Sequence, residues 1–433
     1  MSNVYTFIAS LFRSRLVKAS SSSFLIRLSY TGITFVTSVI FARMFGVEGL
    51  GIYTYAVTVA NVLSIPATLG FKQVLIKHVA IYNAQGEWQK LKGLLMVSSA
   101  AGLAISLSLA IGLIGFFYSR GDGEATLASA ISIALINLPF EAIRKLRLAS
   151  LVGLDQTTKA FLPEFTIGPS LLLLTTLGAY ALNQGTVSVL TVLQVKVVIT
   201  VLTFVLGAYW LHQALPEPYH QAKPEFLNRA WFGMAFPLSL AEGCGIMNSR
   251  LDILMLGAIS GPETAGIYSV VTRGTSLIQL VTQAVFNVIP PKMATLYAEG
   301  NHDHLRALCQ KSTRLLLMLS VTIAAVITIF GPYFLAIFGK DFTAGFAPLL
   351  ILSLEKAVLV FATSASYLLM MSGHERSVFK SDFLGLMSNV ILNFLLISNY
   401  GVVGAAIATT ISSTMVASAK SLAAYKSLGI RLV

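Results

Sequence analysis

Seven ionisable side chains interrupt otherwise apolar runs of this 433-residue sequence: Lys196, Glu242, Arg250, Asp252, Arg273, Glu355 and Lys356. An arginine offers phosphate oxygens a bidentate fork and a lysine a compact point charge, both stronger when partly dehydrated. A buried carboxylate can carry a coupling ion, each charge moved across a membrane potential being worth about 2.3 kcal/mol per 100 mV. Arg250, Arg273, Lys196 and Lys356, with Arg43 nearby, are therefore the candidate anion-binding residues; Glu242 and Asp252 are the candidate ion-coupling residues. Each also has a plainer reading. Arg250 or Arg273 can pair with Asp252 or Glu242 to fix helix packing, Lys356 adjoins Glu355, and Lys196 can snorkel towards an interface. Positions 250 and 252 lie about 200° apart on a helix, so at least one finds its partner on another helix.

No cofactor or metal site is expected. Cys244 and Cys309 form no CxxC spacing, and His78, His212, His220, His302, His304 and His374 fall near segment ends without a ligand pattern. Without a convergent His, Asp or Ser constellation or a long loop to carry one, the chain does not read as an enzyme.

The elements that hold the charges are set by composition. Hydrophobic residues make up 55% and charged residues 11% of the chain, against about 25% charged in soluble domains. The sequence therefore reads as an all-α polytopic membrane protein. Twelve largely apolar windows follow, roughly 22–44, 50–70, 91–118, 124–150, 160–183, 186–214, 230–258, 263–290, 310–338, 345–371, 377–400 and 402–426, each long enough to cross a ~30 Å core as helix. A charge at mid-membrane costs roughly 2.5–3.5 kcal/mol, so the seven interior charges must face partners, water or a ligand. Four are cations and three acids, which predicts a weakly cationic cavity. Pro66, Pro139, Pro169 and Pro237 interrupt four windows and predict kinks.

Orientation follows from Lys and Arg. Arg13, Arg15, Lys18 and Arg27, then Lys72, Lys77, Lys90 and Lys92, then Arg144, Lys145, Arg147 and Lys159 fall on one side, whereas Arg43, Arg120 and Lys340 fall on the other. Both termini are therefore expected in the cytoplasm. The net charge of +12 then lines the cytoplasmic membrane face, against membrane lipid and not nucleic acid.

An internal repeat organises the windows. GVEGLGIYTY (46–55) aligns with GPETAGIYSV (261–270) at an offset of 215, pairing Gly46 with Gly261, Glu48 with Glu263, Gly51 with Gly266 and Tyr53 with Tyr268. Two six-helix lobes, residues 1–215 and 216–433, are expected around a central cavity, related by an axis along the membrane normal. The repeat mate of Arg273 is Thr58, so its charge is not part of the shared architecture.

The segments ARMFGVEGLGIY (42–53), SRLDILML (249–256), AGIYS (265–269) and NYGVVGAAIATTIS (399–412) resemble the polysaccharide transporter flippases, the Wzx-type carriers of O-antigen and related units. Their superfamily also contains multidrug extruders and the lipid II flippase, whose fourteen-span design this chain lacks. The resemblance covers essentially the whole chain. It implies alternating access that moves an undecaprenyl-diphosphate-linked oligosaccharide from the cytoplasmic to the outer leaflet of a bacterial inner membrane. It also implies a polysaccharide polymerase and chain-length regulator as partners; coupling to H+ or Na+ is expected from the depth of Glu242 and Asp252. The alternative is a multidrug or cation extruder, which would need a net acidic cavity.

Overall fold

The computed structural model describes residues 15–120, 125–182, 185–286 and 289–431, and every regular element among them is helical. Arg13 lies outside the described residues. In chain order the helices are α1 (Arg15–Thr68), α2 (Phe71–Gln85), α3 (Trp88–Arg120), α4 (Ala125–Ile136), α5 (Leu138–Gly153), α6 (Thr157–Leu162), α7 (Gly168–Leu182) and α8 (Val189–Ala214). There follow α9 (Glu217–Gln221), α10 (Asn228–Ile259), α11 (Pro262–Phe286), α12 (Ile289–Ala298), α13 (His302–Phe338), α14 (Phe346–Met371) and α15 (Glu375–Leu428). A π-helical turn, Pro163–Ile167, joins α6 to α7, and a 3-10 turn, Lys340–Gly345, leads into α14.

Eight helical segments among the described residues are long and apolar enough to cross a membrane, and the chain is a multi-pass membrane protein. Two of the eight belong to α1 and α15, each of 54 residues, or about 81 Å at 1.5 Å per residue. That is more than twice a ~30 Å hydrocarbon core. Each is broken once, α1 at Gly46 (φ 67°, ψ −167°) and α15 at Gly401 (φ 52°, ψ −127°). Both backbone conformations are ones that glycine adopts without a Cβ clash. Helices α10 and α11 have 32 and 25 residues but carry Glu242, Arg250, Asp252, Glu263 and Arg273, which dilute their apolar signal.

Of the four prolines expected to kink the spans, Pro139 stands at the start of α5, where the 124–150 window divides at Asn137, and Pro169 stands in the first turn of α7. The π turn ahead of α7 opens at Pro163, which the sequence did not single out. Pro66 and Pro237 remain inside α1 and α10, as does Pro332 in α13, which the sequence reading did not single out.

Two compact units emerge. Unit 1 comprises residues 1–37 and 59–242; unit 2 comprises 38–58 and 243–433. In unit 1, Phe71, Leu75, Leu91, Leu94, Leu146 and Trp231 are all but fully buried, and the Trp231 indole N–H donates to the Tyr82 hydroxyl at 3.2 Å. In unit 2, Met293, Leu305, Leu316, Leu368 and Leu369 form the corresponding apolar centre. Large apolar side chains such as Leu182, Ile329 and Phe394 face outward, as expected where lipid replaces water.

Within unit 2 the repeat has a physical consequence. Gly46 and its mate Gly261 both have positive φ, 67° and 86°. Gly51 meets its mate's turn: a Cβ on Gly51 would overlap the Pro262 carbonyl, and one on Gly266 would overlap the Val47 carbonyl and sit 3.0 Å from Gly51 N. Val47 and Pro262 are themselves mates at the same offset, so the contact is reciprocal. Helix backbones touch here because neither glycine has a side chain.

Candidate functional site

Unit 2 encloses a cavity of about 310 Å3 lined by Asp252 of α10, Tyr268 and Thr272 of α11, Glu355 and Lys356 of α14, and Asp382, Asn389 and Thr409 of α15. Because α15 doubles back at Gly401, both of its limbs reach the same cavity. Asp252 is 8% exposed and accepts hydrogen bonds from the Tyr268 hydroxyl (2.6 Å), Asn393 Nδ2 (2.8 Å) and Thr409 Oγ1 (2.8 Å). Asn389 extends the network, accepting from Asn393 at 3.0 Å and donating to Thr409 and Ser412 at 3.3 Å each. The donors that hold Asp252 are all neutral. Hydrogen bonds to a charged group contribute about 1.5–3 kcal/mol apiece, which offsets part of the several kcal/mol needed to bury a carboxylate.

The other cavity charges are paired. Glu355, 1% exposed, accepts from Ser413 Oγ at 2.7 Å and forms an ion pair with Lys356 Nζ at 2.8 Å. Asp382 receives Lys420 Nζ at 2.6 Å, and that ammonium also reaches Ser366 Oγ at 2.8 Å. Asp252, Glu355 and Asp382 against Lys356 make the lining of this cavity lean acidic. The weakly cationic lining was expected of a central cavity between the lobes, whereas this cavity lies within unit 2 and neither Arg250 nor Arg273 is among the residues that line it.

The candidate residues are thus dispersed. Arg250 is exposed on α10, on a different face from Asp252. Arg273 is half-buried and already engaged. Arg43 donates through Nε to Ile337 O (2.7 Å) and through Nη2 to Ala336 O (2.8 Å), meeting the last carbonyls of α13 where a cation complements the helix dipole. Glu242 belongs to unit 1 and pairs with Lys72 at 2.7 Å.

Unit 1 contains a second cluster of charge. Arg144 bridges two carboxylates, Glu141 at i,i−3 and Glu164 at 2.8 Å from the π turn. Lys145 Nζ has the Ser64 hydroxyl at 2.6 Å, and Arg147, 4% exposed, donates to the carbonyls of Thr203 and Phe204 at 2.9 and 2.8 Å. Half-buried Lys196 lies within electrostatic reach of Glu141. Glu141 and Arg144 have the i,i+3 spacing of a helical ion pair, which is readable from sequence; Glu164, Lys145 and Lys72 have partners remote in sequence.

A sequence model of the family described as "Polysaccharide biosynthesis protein" matches residues 16–296. The chain belongs to that family. Members of polysaccharide biosynthesis are also among its relatives by full-length comparison. A probable low-salt glycan biosynthesis flippase of Haloferax volcanii is 23% identical over 92% of this chain and 81% of its own length. Capsular polysaccharide biosynthesis protein CapF of Staphylococcus aureus is 21% identical over 87% and 91%. Among solved structures, this member of the family has the fold of an inward-facing multidrug resistance MATE family transporter of the MOP superfamily, with a TM-score of 0.73, 15% identity and coverage of 94% and 98%. The lipid II flippase MurJ in an inward closed conformation gives 0.69, 15%, 94% and 87%.

Proposed function

We propose that this protein is a flippase that moves an undecaprenyl-diphosphate-linked oligosaccharide, an O-antigen or similar repeat unit, from the cytoplasmic to the outer leaflet of a bacterial inner membrane. Transport is driven by H+ or Na+ and involves no bond chemistry. The long kinked helices α1 and α15 count as two spans each, and α10 and α11 as one each, so the chain has twelve spans with both termini cytoplasmic. Its lobes, residues 1–215 and 216–433, work by alternating access. The family match and the glycan-biosynthesis relatives support the substrate class. Arg250 and Arg273 remain the cations of α10 and α11 assigned to the diphosphate. Lys196 is a secondary contact, and Arg43 and Lys356 are held by α13 and Glu355. A polysaccharide polymerase and a chain-length regulator would receive the product.

The observation that carries the reading is Asp252. A carboxylate at 8% exposure that is surrounded by neutral donors completes its charge balance only with a cation, and a carrier needs such a residue to link ion entry to its cycle. Reconstitution into liposomes carrying an undecaprenyl-diphosphate oligosaccharide tests it. Wild type should translocate faster under an imposed Na+ or proton gradient, and Asp252→Asn should lose that acceleration. A gradient response retained by the variant would remove Asp252 from coupling.

One observation favours the alternative of a multidrug or cation extruder: the acidic lining of the unit 2 cavity, which suits a cationic guest. The two readings part on phenotype. Loss of the flippase strands lipid-linked units, whereas loss of the extruder sensitises cells to cationic drugs.

A further inference from the structure

The Lys72–Glu242 pair of unit 1 is built in a way that a packing pair does not require. Gly70 ends the α1–α2 corner at φ 73°, and a Cβ there would overlap Ala235 O and lie 2.5 Å from Ser239 N on α10. Positions 235, 239 and 242 share one face of α10, so the corner pressed against that face delivers Lys72 to Glu242 at 2.7 Å. Only one carboxylate oxygen is used. Glu242 Oε2 is buried without a hydrogen-bond partner, an arrangement that costs free energy if the pair is purely structural.

The surroundings favour an anion. Lys145 sits within electrostatic reach of Lys72 and has the neutral Ser64 hydroxyl, at 2.6 Å, as its hydrogen-bond partner. Arg144 is taken by Glu141 and Glu164. Helix α2 begins beside Lys72 with no acidic residue in its first turn and no side-chain cap, which leaves backbone N–H groups pointing out of a positive helix end. Counting the cluster, Lys72, Arg144, Lys145, Arg147 and Lys196 stand against Glu141, Glu164 and Glu242, a surplus of two positive charges. A diphosphate diester carries two negative ones.

We propose that Lys72 and Lys145 form an anion subsite of unit 1 in which phosphate oxygens take Lys72 away from Glu242, so that this carboxylate is a built-in competitor for the ligand. This rests on the flippase reading, which supplies the lipid diphosphate; the phosphate of a phospholipid headgroup has the same chemistry.

Binding by the purified full chain in detergent decides it, measured by native mass spectrometry with undecaprenyl diphosphate and, separately, phosphatidylglycerol. Lys72→Gln and Lys145→Gln should each weaken undecaprenyl diphosphate binding at least tenfold. Glu242→Gln should strengthen it several-fold, because the competitor is removed while the side-chain shape is kept. A packing pair has the opposite signature, with Glu242→Gln weakening binding as much as Lys72→Gln, and that result overturns the proposal, as do lysine variants that bind like wild type. If wild type takes undecaprenyl diphosphate regardless of these variants, the flippase reading stands without this subsite. If it takes phosphatidylglycerol alone, with the same dependence on Lys72, Lys145 and Glu242, the subsite stands and the lipid-diphosphate substrate falls.

Discussion

Replacing Gly51 by alanine puts a methyl group where unit 2 has none to spare. The new Cβ would stand 1.8 Å from the Pro262 carbonyl oxygen and 2.5 Å from its carbon, whereas ordinary contact begins at 3.4 Å. Backbone must therefore move by about 1.6 Å, the difference between 3.4 and 1.8 Å, and backbone has no rotamer through which to yield. Overpacking costs about 1–3 kcal/mol, while alanine regains about 1 kcal/mol of helix propensity over glycine. The overlap is with backbone, so the cost lies at the upper end of that range and a net loss of about 2 kcal/mol follows; Gly266→Ala should lose a similar amount because its Cβ meets Val47 O and Gly51. The two share one contact, so the double variant should cost less than the sum of the singles. Gly112 of α3 provides the control: nothing lies within 4 Å of a Cβ there, and Gly112→Ala should melt at or above wild type. Thermal melting of the full chain in detergent reads all four. Gly51→Ala and Gly266→Ala melting like wild type, or costs that simply add, would refute the reciprocal contact.

Three other substitutions have expected outcomes. Asp252→Asn keeps the shape of the site but turns one acceptor into a donor facing Asn393, so it should cost about 1–3 kcal/mol in melting experiments while abolishing the cation dependence of transport. Arg43→Ala removes an exposed cap from the end of α13 and should cost about 0.5–1 kcal/mol with export retained; export lost at normal protein level would make Arg43 a substrate group instead. Trp231→Phe deletes the indole N–H that reaches Tyr82 and leaves space in a fully buried site, so unit 1 should lose about 1–3 kcal/mol, visible as a lower melting temperature.

What the sequence made legible was local or periodic. Apolar windows of membrane length gave the helices, and the 215-residue offset located Gly46, Gly51, Gly261 and Gly266 before any geometry was known. The i,i+3 spacing of Glu141 and Arg144 announced their pair. Asp252 was legible by depth, but not its environment: Asn393 and Thr409 lie 141 and 157 positions away and reach it only because α15 doubles back at Gly401. Lys72 and Glu242 are separated by 170 positions and meet through the Gly70 corner, a tertiary event with no periodicity to reveal it. Counting interior charges also could not foresee that the acids would line the unit 2 cavity while Arg250 stayed exposed on another face. Charge position depends on helix rotation, which hydropathy alone does not set.

The most direct test of the flippase account is made in the native host with this chain deleted and then restored, following lipid-linked glycan units by leaflet and surface polysaccharide together. The account expects the deletion to accumulate undecaprenyl-linked units on the cytoplasmic leaflet with surface glycan lost. Wild type should restore both, and Arg250→Ala or Arg273→Ala at equal membrane level should not. Surface glycan that persists in the deletion while cells become sensitive to cationic drugs would contradict it and put the extruder in its place.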